Sequence, residues 1–231
     1  MRVGEVWHGA ADLVLGARCA GCGRPGLGAC AACTAAVRGS PPLLVAGLPD
    51  ALPVVYAGGA YTGELRRLLL AAKERNGLGL VPLLGERLAA AVAAWALEEG
   101  SGLPVVLVPV PTAPAQVIAR GVDLTAALAR VAARRLRRAG LPVRTWAGLR
   151  LCRRPQDQSE LGRSGRLANL VGAFTVARAL PMGQVVVVDD IVTTGATLRE
   201  AVRACVADGR LPAAGATVAA TARTGTRRGA R

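Results

Sequence analysis

Val185-Val186-Val187-Val188-Asp189-Asp190-Ile191-Val192-Thr193-Thr194-Gly195-Ala196-Thr197 decides how this 231-residue chain reads. Four successive valines predict a strand over 185–188 that is buried on both faces, as in a parallel sheet. Asp189 and Asp190 then stand at the strand's carboxyl end, where open α/β sheets hold their ligands. A turn through Thr193, Thr194 and Gly195 leads into a helix predicted from Thr197 to Asp208. Backbone N–H groups of such a turn, with the helix N-terminus behind them, suit a phosphate monoester. The hydroxyls of Thr193, Thr194 and Thr197 add donors, and Gly195 followed by Ala196 lets the backbone approach closely.

Two adjacent carboxylates facing a phosphate would repel it. They make sense as acceptors for the vicinal hydroxyls of a ribose, so the stretch as a whole describes a ribose 5-phosphate site. A plainer reading makes Asp189 and Asp190 turn formers and Thr197-x-x-Glu200 a capping box. The box is expected to cap the helix, but capping requires neither the acid pair nor the preceding threonines.

Outward from this stretch, apolar runs and helical patterns alternate. Strands are expected at 53–56, 105–108 and 216–220, and helices at Glu64 to Lys73, Leu83 to Leu97 and Leu124 to Leu136. That alternation predicts a doubly wound parallel sheet. The polar segment 151–169 lacks periodicity and reads as a long loop, and Gly39-Ser40-Pro41-Pro42 reads as a linker. The resulting division is a four-cysteine module over 1–40, an α/β domain over 41–223 and a basic tail over 224–231.

Composition agrees with helices on a sheet: 52% of residues are hydrophobic and only 3% aromatic, so Ala, Val and Leu must build the core. The formal charge is +14, carried almost wholly by arginine, since Lys73 is the sole lysine. A charge of that size favours phosphorylated ligands or nucleic acid, and Arg130, Arg134, Arg137 and Arg138 are spaced to form one exposed stripe. There is no uninterrupted run of 18 apolar residues of the kind a membrane span uses. Ala10 to Leu15 is too short for a secretion signal, and a cytoplasmic location is expected.

Cys19-x-x-Cys22 and Cys30-x-x-Cys33 are two CxxC pairs seven residues apart. Four thiolates at this spacing can close a tetrahedron around Zn²⁺, each pair on a tight knuckle, and so stabilise a segment too small to have its own core. Two disulfides or a redox dithiol are the alternatives, with no secretion signal or thioredoxin-like context to favour them. Cys152 and Cys205 are unpaired in pattern, and His8 reads as an ordinary helix-surface residue.

The 188–197 loop is similar to the signature of type I phosphoribosyltransferases, and its combination with a four-cysteine module resembles the ComF family of competence-associated proteins. The similarity also covers Tyr61-Thr62-Gly63-Glu64-Leu65-Arg66 leading to Lys73, and Val108-Pro109-Val110-Pro111 ending in Arg120-Gly121. It continues through Arg153, Gln158, Leu161, Arg166, Asn169 and Gly172-Ala173-Phe174. The resemblance implies a phosphoribosyl pyrophosphate ligand with Mg²⁺, a pyrophosphate loop after Val108, and a hood over 153–166. It implies Asp189 and Asp190 as the catalytic pair, and Thr193 to Thr197, Lys73, Arg120 and Arg153 as ligand contacts. It also implies an alternative role in DNA uptake, with single-stranded DNA and a helicase as partners. One departure stands out: the family usually continues Arg-Gly with Phe-Asn-Gln, whereas this chain has Val122-Asp123-Leu124.

Overall fold

The computed structural model describes residues 18–74, 77–152 and 171–221. Arg153 to Asn169, the tail 224–231 and His8 lie outside them, so the expectations placed there concern segments not described.

The core is a six-stranded, mostly parallel sheet. Its strands are β1 (Leu43–Leu44), β2 (Val55–Ala57), β3 (Val105–Pro109), β4 (Val143–Thr145), β7 (Gln184–Val192) and β8 (Ala214–Ala220), in the order β1-β2-β8-β7-β3-β4. Only β1 runs antiparallel to its neighbour, so the sheet is mixed rather than wholly parallel. Val105 to Val108 and Val185 to Val188 are all buried. This is what β-branched residues on central, doubly covered strands predict.

Six helices accompany the sheet among the described residues. The first, α1 (Ala31–Gly39), belongs to the cysteine module, and the short α4 (Pro114–Arg120) follows β3. On one face of the sheet lie α2 (Gly63–Ala72), α3 (Val81–Glu99) and α5 (Leu124–Arg138), whose Leu68, Leu84, Leu88, Trp95 and Leu128 form one core with Val186 and Val188. On the other lies α6 (Ala196–Ala207), whose Leu198, Ala201 and Cys205 pack with Val185 and Val187. A two-stranded antiparallel ribbon, β5 (Leu149–Leu151) with β6 (Phe174–Val176), adds Leu149 and Phe174 to that second core. The ribbon was not expected: three-residue strands carry too little alternation to be recognised.

The segment Gly77–Glu99 is long and apolar enough to cross a membrane by length and composition. In the fold it is a core element, and Arg87 is buried in its middle. The Arg87 guanidinium donates to the carbonyl oxygens of Arg38, Ser40 and Gly58. Those bonds anchor the Gly39–Pro42 segment, expected as a mere linker, to the sheet. At the same junction Glu86 pairs with Arg38 on α1 and with Arg135 on α5.

The connections set up a ligand site. β3 and β7 are neighbours, yet the chain leaves β3 towards β4 on one side and leaves β7 towards β8 on the other. Opposed crossovers open a crevice at the carboxyl ends of the two strands, and in open α/β sheets that crevice is where ligands bind.

Candidate functional site

A cleft of about 600 Å³ occupies this crevice, and among its walls are Tyr61, Lys73, Thr112, Arg120, Asp189, Asp190, Thr193 and Thr197. The acid pair does not follow the strand, as expected, but lies within it: β7 continues through both aspartates to Val192. Val110 N–H donates to Val188 O (2.9 Å), which ties the loop after β3 to the strand just before Asp189.

The two carboxylates are not equivalent. Asp190 Oδ2 lies 2.7 Å from Lys73 Nζ, in a pair only partly open to solvent. Asp189 Oδ1 accepts the Asp190 N–H at 2.8 Å and has no cation of its own at that range among the described residues. Burial, reinforced by the charge of Asp190, pushes the Asp189 carboxyl up to about 8, against the opposing pull of the Asp190 N–H and the more distant Lys73. A carboxyl in a poorly solvated place beside a like charge holds its proton more tightly than one in water.

The turn that follows forms as its residues require. Gly195 takes φ 77° and is the N-cap of α6, so the helix starts at Ala196, one residue earlier than predicted. A Cβ at position 195 would need the left-handed backbone that glycine adopts freely, and would stand 2.7 Å from the end of the Leu52 side chain, which would have to shift. Thr194 Oγ1 accepts the Ala196 N–H at 3.4 Å, whereas Thr193 and Thr197 face the cleft. The expected capping box does not form. Thr197 is inside the helix, and Glu200 is buried, accepts the Phe174 N–H (3.0 Å) and pairs with Arg203. Glu200 therefore ties the β5–β6 ribbon to α6 instead of closing a helix end.

Opposite the acids, Arg120 Nε donates to Lys73 O at 2.9 Å, joining two of the predicted ligand contacts by a backbone link. Asp123, the departure from the family pattern, is the N-cap of α5: its Oδ1 accepts the Ala126 N–H (3.0 Å) and the Thr112 hydroxyl (2.9 Å). An aspartate directly before a helical run is an ordinary capping signal, and here it also braces the loop 110–113. Among the cleft residues that had not been singled out as contacts are Tyr61, Thr112, Gln116, Thr125 and Phe174. They come from five separate segments, and nothing in local spacing announces their convergence. Arg153 falls outside the described residues.

The four cysteines form a second site. Their sulfurs all lie within 4.8 Å of one another, and Cys22 Sγ is 3.7 Å from Cys30 Sγ. A tetrahedron with zinc–sulfur bonds of about 2.3 Å has edges of about 3.8 Å, so the donor set fits a metal such as zinc. The Cys22–Cys30 separation is far beyond a sulfur–sulfur bond, and none of the six cysteines is in a disulfide. Cys19 and Cys22 sit on a knuckle, as expected. Cys30 and Cys33 instead open α1, with Cys30 as N-cap. Burial opposes ionisation of Cys19, but N–H groups of Cys30, Cys22 and Gly21 outweigh it and hold the thiol down at about 6. Burial and the neighbouring sulfurs push Cys33 strongly upward. A divalent cation would relieve that conflict.

A larger hollow of about 940 Å³ lies between this module and α3, lined by Arg18, Leu27, Glu74, Gly77, Leu80 and Glu86 among others. It holds neither of the paired acids and none of the threonines of the 193–197 turn.

Compared with known proteins, the chain matches no family model, and no curated protein matches it significantly.

Proposed function

We propose that the cleft binds a 5-phosphoribosyl pyrophosphate-like ligand with Mg²⁺ and that the protein is a phosphoribosyltransferase acting on a nucleobase-like or amine acceptor. The observation that carries this reading is the convergence of an acid pair and a threonine-rich helix start in one crevice at the opposed crossovers. The phosphate end would lie on the backbone N–H groups of residues 193–197 at the start of α6. The ribose diol would lie on Asp189 and Asp190, and Lys73 and Arg120 would face the pyrophosphate. Mg²⁺ would supply charge neutralisation of the leaving pyrophosphate while keeping several of its waters.

Within this reading the two acids divide their work. Asp190, ion-paired with Lys73, carries the negative charge that would stabilise a cationic sugar as its bond to pyrophosphate breaks. Asp189, whose carboxyl is pushed up to about 8 by burial and by Asp190, has an O–H to donate to one ribose oxygen, or gives up its proton to accept from the diol. Transfer is tested by incubating the protein with the pyrophosphate ester, Mg²⁺ and a panel of nucleobases and amines while following pyrophosphate release. Acceptor-dependent release supports transfer, and binding without release under any acceptor reduces the protein to a sensor of the ligand.

A second reading, a DNA-uptake accessory that binds single-stranded DNA beside a helicase, is favoured by one observation. Arg130, Arg134, Arg137 and Arg138 are all exposed on α5, away from its buried leucine face. With only six aromatic side chains in the chain, phosphate contacts would dominate, and affinity would fall steeply with salt. Affinity that is unchanged between low and moderate salt would reject that reading.

A further inference from the structure

We infer that Arg67 is a positioning residue through which the four-cysteine module holds Lys73 in the cleft, so that metal occupancy of the module governs the Lys73–Asp190 contact. Arg67 and Lys73 lie six positions apart, Arg67 within α2 and Lys73 as its C-cap. That is about 9 Å along a helix axis, short enough for the helix to act as one rigid piece.

At the module end, Arg67 Nε donates to the carbonyl oxygen of Gly21, and Nη2 pairs with Glu64 Oε1 at 2.8 Å. Gly21 lies inside the first CxxC pair, and its peptide is locked to the sulfurs. Its N–H donates to Cys19 Sγ (3.4 Å), and a Cβ added there would fall 2.7 Å from Cys33 Sγ. The carbonyl that Arg67 grips therefore moves with the sulfur cluster. At the cleft end, Lys73 Nζ meets Asp190 Oδ2 at 2.7 Å, and Lys73 O is held by Arg120.

Leu65, Leu68, Leu69 and Ala72 bury the inner face of α2 and fix it against the sheet. That packing holds only the inner face of the helix, and a directional bond is needed to tie its outer face to the module. Arg67 supplies that bond. Without a metal only weak sulfur hydrogen bonds join the two CxxC pairs, so the Gly21 carbonyl is free to shift and α2 loses its outer anchor.

The sole lysine makes the test direct. Protein labelled at lysine Cε gives a single lysine resonance, which reports Lys73 whether or not the cleft binds any ribose phosphate. Zinc-loaded Arg67→Ala is expected to move that resonance towards the position of a solvent-exposed lysine. Chelator-stripped wild type is expected to move it the same way, and zinc-loaded Arg130→Ala to leave it in place. A second readout, which rests on the ribose-phosphate reading, is ligand affinity: Arg67→Ala and metal removal should each weaken it about fivefold, without adding to one another. A wild-type resonance in zinc-loaded Arg67→Ala, or in stripped protein that keeps its helical ellipticity, overturns the inference. If stripping unfolds the chain, the Arg67→Ala resonance alone decides. If the resonance moves as expected but no ligand binds to wild type, the ribose-phosphate reading fails and the coupling stands.

Discussion

Asp190 Oδ2 lies 2.7 Å from the only lysine nitrogen in the chain, while its neighbour Asp189 has no cation at that distance among the described residues. Adjacent residues of one strand thus carry one neutralised carboxylate and one that the fold leaves in conflict with it. A pure scaffold has no use for that conflict, whereas sites that must bind a polar ligand commonly retain it at a cost in stability.

The first prediction follows from that cost. The Asp189 carboxyl is raised from its ordinary value of 3.8 to about 8. The folded state therefore favours the protonated form, and its stabilising effect is complete below about pH 4 and is lost as pH rises through about 8. Asn keeps the acceptor for the Asp190 N–H and removes the charge. A tenfold rise in proton affinity on folding corresponds to about 1.4 kcal/mol. Even a rise of about a hundredfold would make Asp189→Asn more stable than wild type by about 2.7 kcal/mol above pH 8. At pH 4 the two should be nearly equal. Urea unfolding at the two pH values measures the difference, and equal stability at pH 9 would show that the carboxyl is not raised.

Arg87 is a buried cation whose hydrogen-bond partners are carbonyl oxygens of Arg38, Ser40 and Gly58. Arg87→Met keeps most of the stem and leaves those three oxygens without their donor, so unfolding free energy should fall by about 3 kcal/mol. The joint between the module and the sheet should then be the first region to open. Hydrogen exchange at residues 39–44 should quicken more than at β7, and uniform protection in the variant would contradict the assigned role.

Gly195 combines φ 77° with little room for a side chain, since an added Cβ would meet the ends of Leu48 and Leu52. Gly195→Ala should lower stability by about 1–2 kcal/mol from the left-handed backbone alone, with packing adding to it. It should also displace the N–H groups proposed to hold phosphate. A variant with unchanged melting temperature would mean the turn can relax, and would remove the case for a rigid cradle.

Much of this molecule was legible in the residues alone, for identifiable reasons. Val105 to Val108 and Val185 to Val188 are valine-rich apolar runs, and such runs suit central strands. Leu65, Leu68 and Leu69 mark the buried face of α2 by period alone. The two CxxC pairs implied a common centre, and the sulfurs do converge. What could not be read depends on long-range packing. Thr197-x-x-Glu200 has the spacing of a capping box, but Gly195 starts the helix and the Phe174 N–H with Arg203 claims Glu200. Asp189 and Asp190 fall inside β7 because pairing with β8 extends the strand as far as Val192. Residues such as Tyr61 and Thr112 share a cleft with the acids only because of the crossover order, which no local pattern encodes.

The central claim is that Asp189 and Asp190 bind a ribose diol while the 193–197 turn binds its phosphate, and calorimetric titration with phosphoribosyl pyrophosphate and Mg²⁺ tests it most directly. Saturable binding with Kd below about 1 mM is predicted for wild type, and Asp190→Asn should weaken it at least about tenfold by removing a charged hydrogen-bond partner. No binding to wild type at millimolar ligand, or equal binding by the Asp189→Asn/Asp190→Asn double variant, would contradict the account.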